Sequence, residues 1–396
     1  MPWKESCAMN ERNALIKEYF ENECSVSELA RQYGVSRKTV HKWISRFKES
    51  GAAGLEELSR APHHHANALS QEMEVRILEW KAKKPSWGAP KIHSKLWELP
   101  DCPSESTVSN VLARWGLSRK ARRRAGGAAV PSEGPLAHCQ QANQVWCADF
   151  KGHFRTADGQ RCDPLTISDA YSRYLLRCQA LGGFTGYLAV KPLFIATFRE
   201  NGMPDALRTD NGPPFASIGL GGLSALSVWL IRLGIRLERI LPAHPEQNGR
   251  HERMHRTLKE ATAKPPRANL KAQQRAFDGF RKEYNHERPH EGLGQQTPAS
   301  FYVPSVRDYP ERLPQQRGYP KDWQTRMVRK AGAMKWGGQD IHLNIALAGQ
   351  EIGLEPVEDG RWVVHFESLR LGIFDEREGR VLRQKRLTWA NHEQAI

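Results

Sequence analysis

The sequence has 396 residues, 39% of them hydrophobic, which is enough for about two to four folded domains with real cores. Lysine and arginine outnumber aspartate and glutamate by 59 to 44, and the net charge of +15 favours a polyanionic partner. No apolar stretch approaches the roughly 20 residues of a membrane span, and no apolar signal core stands at the N-terminus, so we expect neither secretion nor membrane insertion.

Residues 1–60 are predicted to form a helix-turn-helix DNA-binding domain. Apolar residues recur at helical spacing in three short stretches. Gly34 stands where the chain must turn tightly before the third helix, and Ser36 is a typical N-cap for it. A plain three-helix bundle is the alternative. The third helix offers residue types that suit phosphates and base edges: Arg37, Lys38, Thr39, His41, Lys42 and Arg46.

A second helix-turn-helix domain with a basic tail is predicted at residues 66–125. Its first helix ends at Pro85, and its last helix opens with a serine cap followed by a glutamate. Five cations then follow within eight residues: Arg119, Lys120, Arg122, Arg123 and Arg124. Next to the small-residue linker at 126–141, this run either follows DNA phosphates or is a solvated charge run. The three histidines at 63–65 have no partner cysteines and are interpreted as linker.

From Gln144 the pattern changes to strands, and antiparallel strands are followed by alternating helices and strands. That order predicts a mixed α/β sheet at residues 142–304. Asp149 lies on the first strand and Asp210 at the end of the fourth, so both are candidates to project at one edge. Two such carboxylates with open positions suit Mg²⁺ or Mn²⁺. The alternative is structural, because Asp-Asn-Gly is also a common turn signal.

Four blocks carry a family resemblance: "WCADFKG", "RTDNGPPF", "HPEQNGRHERMHRTLKE" and "YNHERPHEGLGQQTPASFY". Together they resemble the DDE transposases of bacterial insertion sequences, relatives of retroviral integrases with an RNase H-like core. The resemblance implies an enzyme that binds terminal inverted repeats, cuts at the element ends and joins the 3′-hydroxyls to target DNA. It also implies two Mg²⁺ ions, replaceable by Mn²⁺, and a catalytic triad of Asp149, Asp210 and Glu252.

The resemblance further implies how this protein works in the cell. Bringing two element ends of double-stranded DNA together requires a homo-oligomer, at least a dimer on the DNA. We expect a bacterial protein in the cytoplasm, associated with the nucleoid. Its seven cysteines form no CxxC pair, which is typical of reduced thiols in that compartment.

The third carboxylate is either Glu246 or Glu252. Glu246 follows Asp210 after the customary 35 intervening residues, but it lies between a proline and "QNG", in a turn or a first helical turn. Glu252 follows after 41 residues, inside a helix predicted to start near Asn248. It shares a face with Arg256 and Lys259, away from the apolar stripe of that helix. We therefore choose Glu252, as the family motif does.

That choice leaves six extra residues, which the Gly-rich run at 216–227 can accommodate in a surface loop. The apolar stripe of the glutamate's helix is predicted to be Met254, Leu258 and Ala261. Three cations around Glu252 are predicted DNA contacts: Arg250, Arg256 and Lys259. The next helix is predicted to begin near Asn269 and to end at Pro289, and four side chains near that end are interpreted mainly as fastening it to the core: Tyr284, Asn285, Arg288 and His290.

The tail is predicted to be a basic linker at 305–332 and a small SH3-like β-barrel at 333–396, because short alternating strands are separated by turns. Such a barrel binds either DNA or a second protomer. Two other functions remain open for the whole chain. One is a catalytically inactive or domesticated regulatory DNA-binding protein, and the other is a nuclease that cleaves without joining.

Overall fold

A computed structural model describes residues 7–21, 24–58, 69–118, 139–150, 152–240 and 249–389, apart from the side chains of residues 250 and 383–389. The chain divides into two compact units, Met1–Gln71 and Glu72–Ile396. Among the helices of the described ranges, none combines the length and the apolar character that crossing a membrane requires.

The first unit contains the predicted three helices. They are α1 (Ala8–Glu21), α2 (Val26–Gln32) and α3 (Arg37–Ser50). Gly34 has a φ of 64° in the turn before α3, a backbone conformation that glycine adopts without strain. Ser36 Oγ accepts a hydrogen bond from Thr39 N at 3.1 Å and so caps α3. Leu29 and Val40 are fully buried between the helices. The helix-turn-helix prediction is confirmed.

The second helical module opens the larger unit. Its helices are α4 (Gln71–Lys83), α5 (Ala89–Leu96) and α6 (Glu105–Arg114). As predicted, α4 ends before Pro85, and Ser104 Oγ caps α6 by accepting a hydrogen bond from Thr107 N at 3.2 Å. Trp87, between α4 and α5, is fully buried and stacks on Trp80.

A six-stranded mixed sheet follows. Its strands are β1 (Val145–Phe150), β2 (Phe154–Arg155), β3 (Arg161–Asp169), β4 (Leu175–Leu181), β5 (Ala206–Thr209) and β6 (Arg236–Arg239). The order is β2-β3-β1-β5-β6, with β4 also paired to β3. Pairs among the first four strands are antiparallel, whereas β1, β5 and β6 run parallel. This is the predicted mixed sheet of an RNase H-like core.

Two helix pairs cover the two faces of this sheet. They are α7 (Tyr187–Asn201) with α8 (Ala225–Arg232), and α9 (Gly249–Thr262) with α10 (Leu270–His286). Leu165 and Ile167 of β3 share a core cluster with α7 and α8. Thr166 and Ser168 contact α9 instead, because successive strand residues point to opposite faces.

The end of α10 contacts both strand β4 and the second helical module. The Asn285 amide donates to Leu175 O at 3.0 Å and accepts from Leu175 N at 2.8 Å, which confirms Asn285 as a fastener to the sheet. Lys84, just after α4, forms ion pairs with Glu283 at 3.4 Å and Glu287 at 3.0 Å. The second helical module is therefore docked against the end of α10.

The C-terminal part forms a sheet and a hairpin. Its strands are β7 (Gln324–Met327), β8 (Ala333–Trp336), β9 (Gln339–His342), β10 (Glu351–Glu358), β11 (Arg361–Phe366), β12 (Leu369–Asp375) and β13 (Arg380–Trp389). The antiparallel order is β13-β12-β11-β10-β7, with β8 paired to β9. Along the described residues no pairing joins β7 to β13, so the predicted closed barrel is not confirmed. Phe366 and Phe374 share one core cluster with Leu223, so the core helps to cover this sheet.

Two segments make more contacts with the rest of the chain than predicted: the Gly-rich insert and residues 305–332. The Gly-rich insert is exposed around Ile218, but Leu220 and Leu223 are buried, so the prediction of a surface loop is wrong for most of it. The segment predicted as a basic linker, 305–332, contains β7. Its first part also binds the core, since Ser305 N donates to Asn201 O at 2.8 Å.

Candidate active site

Asp149 lies near the end of β1, and Asp210 directly follows β5, the parallel neighbour of β1. In the parallel pair β1–β5, Val145 lies opposite Ala206 and Cys147 opposite Arg208. Continued for two residues beyond the last of these pairs, the same register would set Asp149 opposite Asp210, which directly follows β5. Neighbouring strands lie about 4.8 Å apart, and residues in register point to the same face. The topology therefore brings the two predicted aspartates together at the carboxyl ends of adjacent strands.

Asp210 sits at the start of a tight turn. One of its carboxylate oxygens accepts a hydrogen bond from Gly212 N at 3.2 Å. A Cβ at Gly212 would lie 3.2 Å from that carboxylate, so glycine leaves room for it. Asn211 Nδ2 donates to Ile240 O at 2.9 Å, which ties the turn to the segment after β6. Asn211 and Gly212 thus shape the turn that directs Asp210, as the motif predicts.

The buried face of α9 is polar where it meets β3. His251 Nδ1 is 2.9 Å from Ser168 Oγ, and His251 Nε2 is 2.8 Å from Thr166 Oγ1. His255 Nε2 is 2.6 Å from the same Thr166 hydroxyl, and its Nδ1 faces Asp149 Oδ2 at 3.7 Å. Both imidazoles are almost fully buried. A hydrogen-bonded chain therefore connects the helix of Glu252 to the strand of Asp149.

Thr166 is the centre of this network. Its hydroxyl also lies 3.2 Å from the backbone carbonyl of Asp149. A hydroxyl has one proton to donate, and a carbonyl can only accept. When Thr166 donates to that carbonyl, both imidazoles must donate to Thr166 from Nε2. Thr166 thereby couples the tautomers of His251 and His255 to the backbone of Asp149.

Sequence reasoning missed these two histidines. Their spacing of four residues, together with Met254 and Leu258, places them on one helical face, which is the signal that could have identified them. Met254 and Leu258 are buried as predicted, but Ala261 is exposed, so the predicted stripe is wrong at that residue. The buried stripe instead turns toward Thr262.

Glu252 lies on the exposed face of α9, as do Arg256 and Lys259. The three share the face that the sequence predicts for them. Glu246 falls outside the described residues. Glu252 stays a prediction for the third ligand, and its neighbour His251 links the same helix turn to the sheet below Asp149.

Several side chains around Asp149 offer ligand atoms for a divalent cation. Asp149, His251 and His255 are the one group of histidine, cysteine and acidic side chains in the described residues whose ligand atoms could hold a metal. However, both nitrogens of His251 already face hydroxyl groups at hydrogen-bonding distance. The imidazoles therefore serve the packing of α9, and the oxygens of Asp149 and Asp210 remain the better match to a hard ion such as Mg²⁺.

The predicted DNA-contacting residues of the first unit have the exposure that such contacts need. Arg37, Lys38, His41 and Lys42 are exposed, whereas Thr39 and Arg46 are half-buried. Thr39 Oγ1 lies 2.9 Å from Ser36 Oγ, so it also belongs to the helix cap. Six further predictions fall on residues or side chains outside those described: Arg119, Lys120, Arg122, Arg123, Arg124 and Arg250.

Four stretches of the chain match known protein domain families. Residues 140–245 and 233–298 each match an integrase core domain family. Residues 11–63 match a helix-turn-helix domain, and residues 39–112 match a homeodomain-like domain. The molecule thus combines DNA-binding helical modules with an integrase-type core.

Two proteins of bacterial insertion elements are similar in sequence to this chain. The chain is 27% identical over 259 residues to an uncharacterized 31.7 kDa protein of insertion element IS407 from Burkholderia multivorans, covering 64% of this chain and 90% of that protein. It is 28% identical over 278 residues to an uncharacterized 39.2 kDa protein of insertion element IS476 from Xanthomonas euvesicatoria, covering 68% and 76%. The chain is therefore similar to proteins of bacterial insertion elements and contains regions that match integrase core domains.

Solved integrase structures are also similar. A simian T-cell lymphotropic virus intasome in complex with PP2A regulatory subunit B56 gamma aligns with a TM-score of 0.37 and 18% identity, covering 80% of this chain and 100% of that one. The HTLV-2 integrase catalytic core domain in complex with magnesium aligns with a TM-score of 0.33 and 17% identity, covering 41% and 99%. With TM-scores below 0.5, these alignments add nothing to the similarities found in the sequence.

Proposed function

We propose that the chain binds the terminal inverted repeats of an insertion element, cleaves DNA at the element ends and joins the 3′-hydroxyl ends to target DNA. The observation that carries this proposal is the parallel pairing of β1, which contains Asp149, with β5, which directly precedes Asp210. It is supported by the integrase core match over the same strands.

In this proposal Asp149, Asp210 and Glu252 hold two divalent ions, Mg²⁺ or in its place Mn²⁺. Bound there, the ions would activate the attacking oxygen and stabilise the leaving oxygen of a phosphoryl transfer. Water is the nucleophile for cleavage and a DNA 3′-hydroxyl the nucleophile for joining. In each step the attacking oxygen forms the new bond to phosphorus as the opposite oxygen leaves with the bonding pair.

The chain's own residues position the reactants. Arg256 and Lys259 follow Glu252 on the exposed face of α9 and would neutralise phosphates of the scissile strand. The Thr166 network fixes α9 against the sheet, so that Glu252 keeps its place relative to Asp149. The helical modules supply the contacts that select the element end, and α3 presents the base-reading face.

Joining two ends requires two active sites close together. We therefore infer at least a dimer assembled on DNA, in the bacterial cytoplasm at the nucleoid. Part of that assembly would form only when DNA is bound, because binding stabilises the associated state.

Incubation of the full chain with an oligonucleotide duplex of the element end and Mg²⁺ tests the function. We expect nicked ends and products in which the new 3′-hydroxyl is joined to a second duplex. Cleavage without joining would identify a nuclease instead. Binding with no cleavage in Mg²⁺ or Mn²⁺ would overturn the enzymatic proposal and favour a regulatory DNA-binding protein.

A further inference from the structure

A strongly basic cavity of about 540 Å³ lies between the second helical module and helix α9. Its lining includes five cations and one carboxylate. The cations are Lys91, Arg173, Arg253, Arg256 and Arg288, and the carboxylate is Glu291. The cavity therefore carries a large excess of positive charge within the larger unit.

Four parts of the chain line this cavity: α5, the turn between β3 and β4, α9, and the end of α10 with the segment after it. Lys91 of α5 donates a hydrogen bond from Nζ to Pro289 O, which brings its ammonium group to the end of α10. Arg173, in the turn between β3 and β4, donates to Gly292 O at 3.3 Å. A Cβ at Gly292 would collide with that guanidinium, so glycine leaves room for it. Helix α9 supplies the remaining wall through its first turns.

His290 contributes a polar atom to the same wall. The residue is 8% exposed, and its Nε2 has no hydrogen-bond partner in the described part of the chain. Its ring packs edge-on against Tyr284 at 4.6 Å. Burial, and then the charges of Lys91, Arg288 and Arg173, lower the pKa of His290 to about 3, so it is neutral at pH 7. A neutral imidazole has one N–H donor and one acceptor nitrogen, so His290 gives this wall a polar group without adding a positive charge.

The cations repel one another in this cavity. Burial lowers the pKa of Lys91 to about 8, and the charges of Arg288, Arg253 and Arg173 act in the same direction. Arg288 forms an ion pair with Glu283 at 3.9 Å, which is a long and weak separation for such a pair. A bound anion would relieve this repulsion and provide an acceptor for several N–H donors at once.

We propose that this cavity binds a phosphodiester group of the DNA backbone, held by Lys91, Arg173 and Arg288. Arg253, on α9 beside Glu252, reaches the same cavity. A strand held here therefore runs past the helix that carries the proposed third carboxylate. Because Lys91 belongs to the second helical module, the same phosphate group links DNA recognition to the position of the catalytic core.

The proposal rests on the proposed function only in taking DNA as the partner, and it can be tested without catalysis. Lys91→Gln with Arg288→Gln is compared with the matched pair Lys271→Gln with Arg275→Gln, two exposed cations of α10 outside the cavity. Binding of a 30-base-pair duplex is measured by fluorescence anisotropy in EDTA at several salt concentrations. We expect at least about tenfold weaker binding for the cavity pair, and a slope of log K against log[salt] lower by about 1.

Equal affinity and equal slopes for the cavity pair and the wild type would overturn the proposal. A second measurement uses the wild-type chain, so that it does not depend on how the variant folds. Labelling of lysines with an amine-reactive reagent, read by mass spectrometry, should be slowed by duplex DNA at least about fivefold at Lys91. Lys271 should be labelled at the same rate with and without DNA.

The labelling of Lys91 is also measured with inorganic phosphate, at the same concentration of phosphate groups as in the duplex. This comparison distinguishes the two sources of the anion. Weaker protection of Lys91 by inorganic phosphate than by the duplex supports the DNA backbone as the occupant. Equal protection by the two would contradict it, as would no protection by DNA. Failure of the wild type to cleave would refute the proposed function and leave these EDTA measurements valid, so the two failures are distinguishable.

Discussion

At the residue scale, the hydroxyl of Thr166 is the centre of the contact between α9 and the sheet. It lies within 3.2 Å of the Asp149 carbonyl and of two imidazole nitrogens, and the threonine is fully buried. Buried polar atoms that lose a partner are costly, because water cannot replace it. The position of α9, and with it that of Glu252, therefore depends on one side chain that does not itself reach the DNA.

Thr166→Val should lower the free energy of unfolding by about 1–3 kcal/mol, because it leaves buried nitrogens without a partner. Urea denaturation measures this. At a temperature where the variant is fully folded, its DNA cleavage rate should still be reduced, since α9 is no longer held in register. Thr166→Ser keeps the hydroxyl and should recover most of the rate. Full activity of the valine variant would show that the network only packs the helix.

His290 should make stability depend on pH. Its pKa in the folded protein, about 3, lies below the ordinary value of 6.5, so the unfolded chain takes up a proton first as the pH falls. The contribution of His290 to stability is complete above pH 6.5 and is lost between pH 6.5 and 3. From pH 7 to pH 5 the loss should be about 2 kcal/mol larger for the wild type than for His290→Gln, measured by urea midpoints at both pH values. Equal losses would show that His290 is not held neutral.

The sequence predicted the exposed face of α9 but not the polar contacts of its buried face. The face shared by Glu252, Arg256 and Lys259 follows from helical periodicity and needs no tertiary information. His251 and His255 were not recognised as buried, because histidine is usually half-exposed and only the partner strand reveals hydroxyl groups at matching positions. Thr166 and Ser168 lie about 85 residues earlier, where no local pattern links them to α9.

At the scale of elements, the Gly-rich insert connects the core to the C-terminal sheet. Asn344, before β10, donates from Nδ2 to Leu220 O at 3.0 Å and to Leu223 O at 2.9 Å. Arg239 of β6 donates to Gly222 O at 2.9 Å from the other side. The six residues that lengthen the interval between Asp210 and Glu252 are thus part of a docked segment. Composition predicted a loop, but the partners that bury it lie far along the chain.

Asn344→Ala should therefore destabilise the larger unit by about 2 kcal/mol, because two buried carbonyls lose their donor. Gln339→Ala, an exposed change on the neighbouring β9, should stay within about 0.5 kcal/mol of the wild type. Thermal unfolding of both variants measures the difference. If the two variants have equal stability, the insert is not held by Asn344.

For the C-terminal strands too, the sequence predicts the strands themselves but not what packs against them. Alternating short runs predict the strands themselves, and most of them lie where the alternation indicates. Closure into a barrel depends on what covers the inner face. Here that face shares a hydrophobic cluster with the core, including Leu220, Leu223 and Trp229, so closure is not needed to bury Phe366 and Phe374. Such coverage cannot be inferred from strand periodicity.

At the scale of the whole molecule, the order of parts was predictable because each part has its own local signal. Caps and apolar spacing identified the helical modules, and four motif blocks identified the core. The docking of the second module on α10 was not predictable, since Lys84 and Glu283 are ordinary surface types in sequence. That docking places the second helical module and α9 around the cavity for which phosphate binding is proposed above.

The central claim is that Asp149 and Asp210 work with Glu252 in one phosphoryl-transfer site. The most direct measurement compares Glu252→Gln with Glu246→Gln in the same cleavage and joining assay with an element-end duplex and Mg²⁺. Loss of a ligand side chain should reduce both steps by more than about 100-fold for Glu252→Gln, while Glu246→Gln should keep most of the activity. Loss of both steps in the Glu246 variant, with activity kept in the Glu252 variant, would contradict the account.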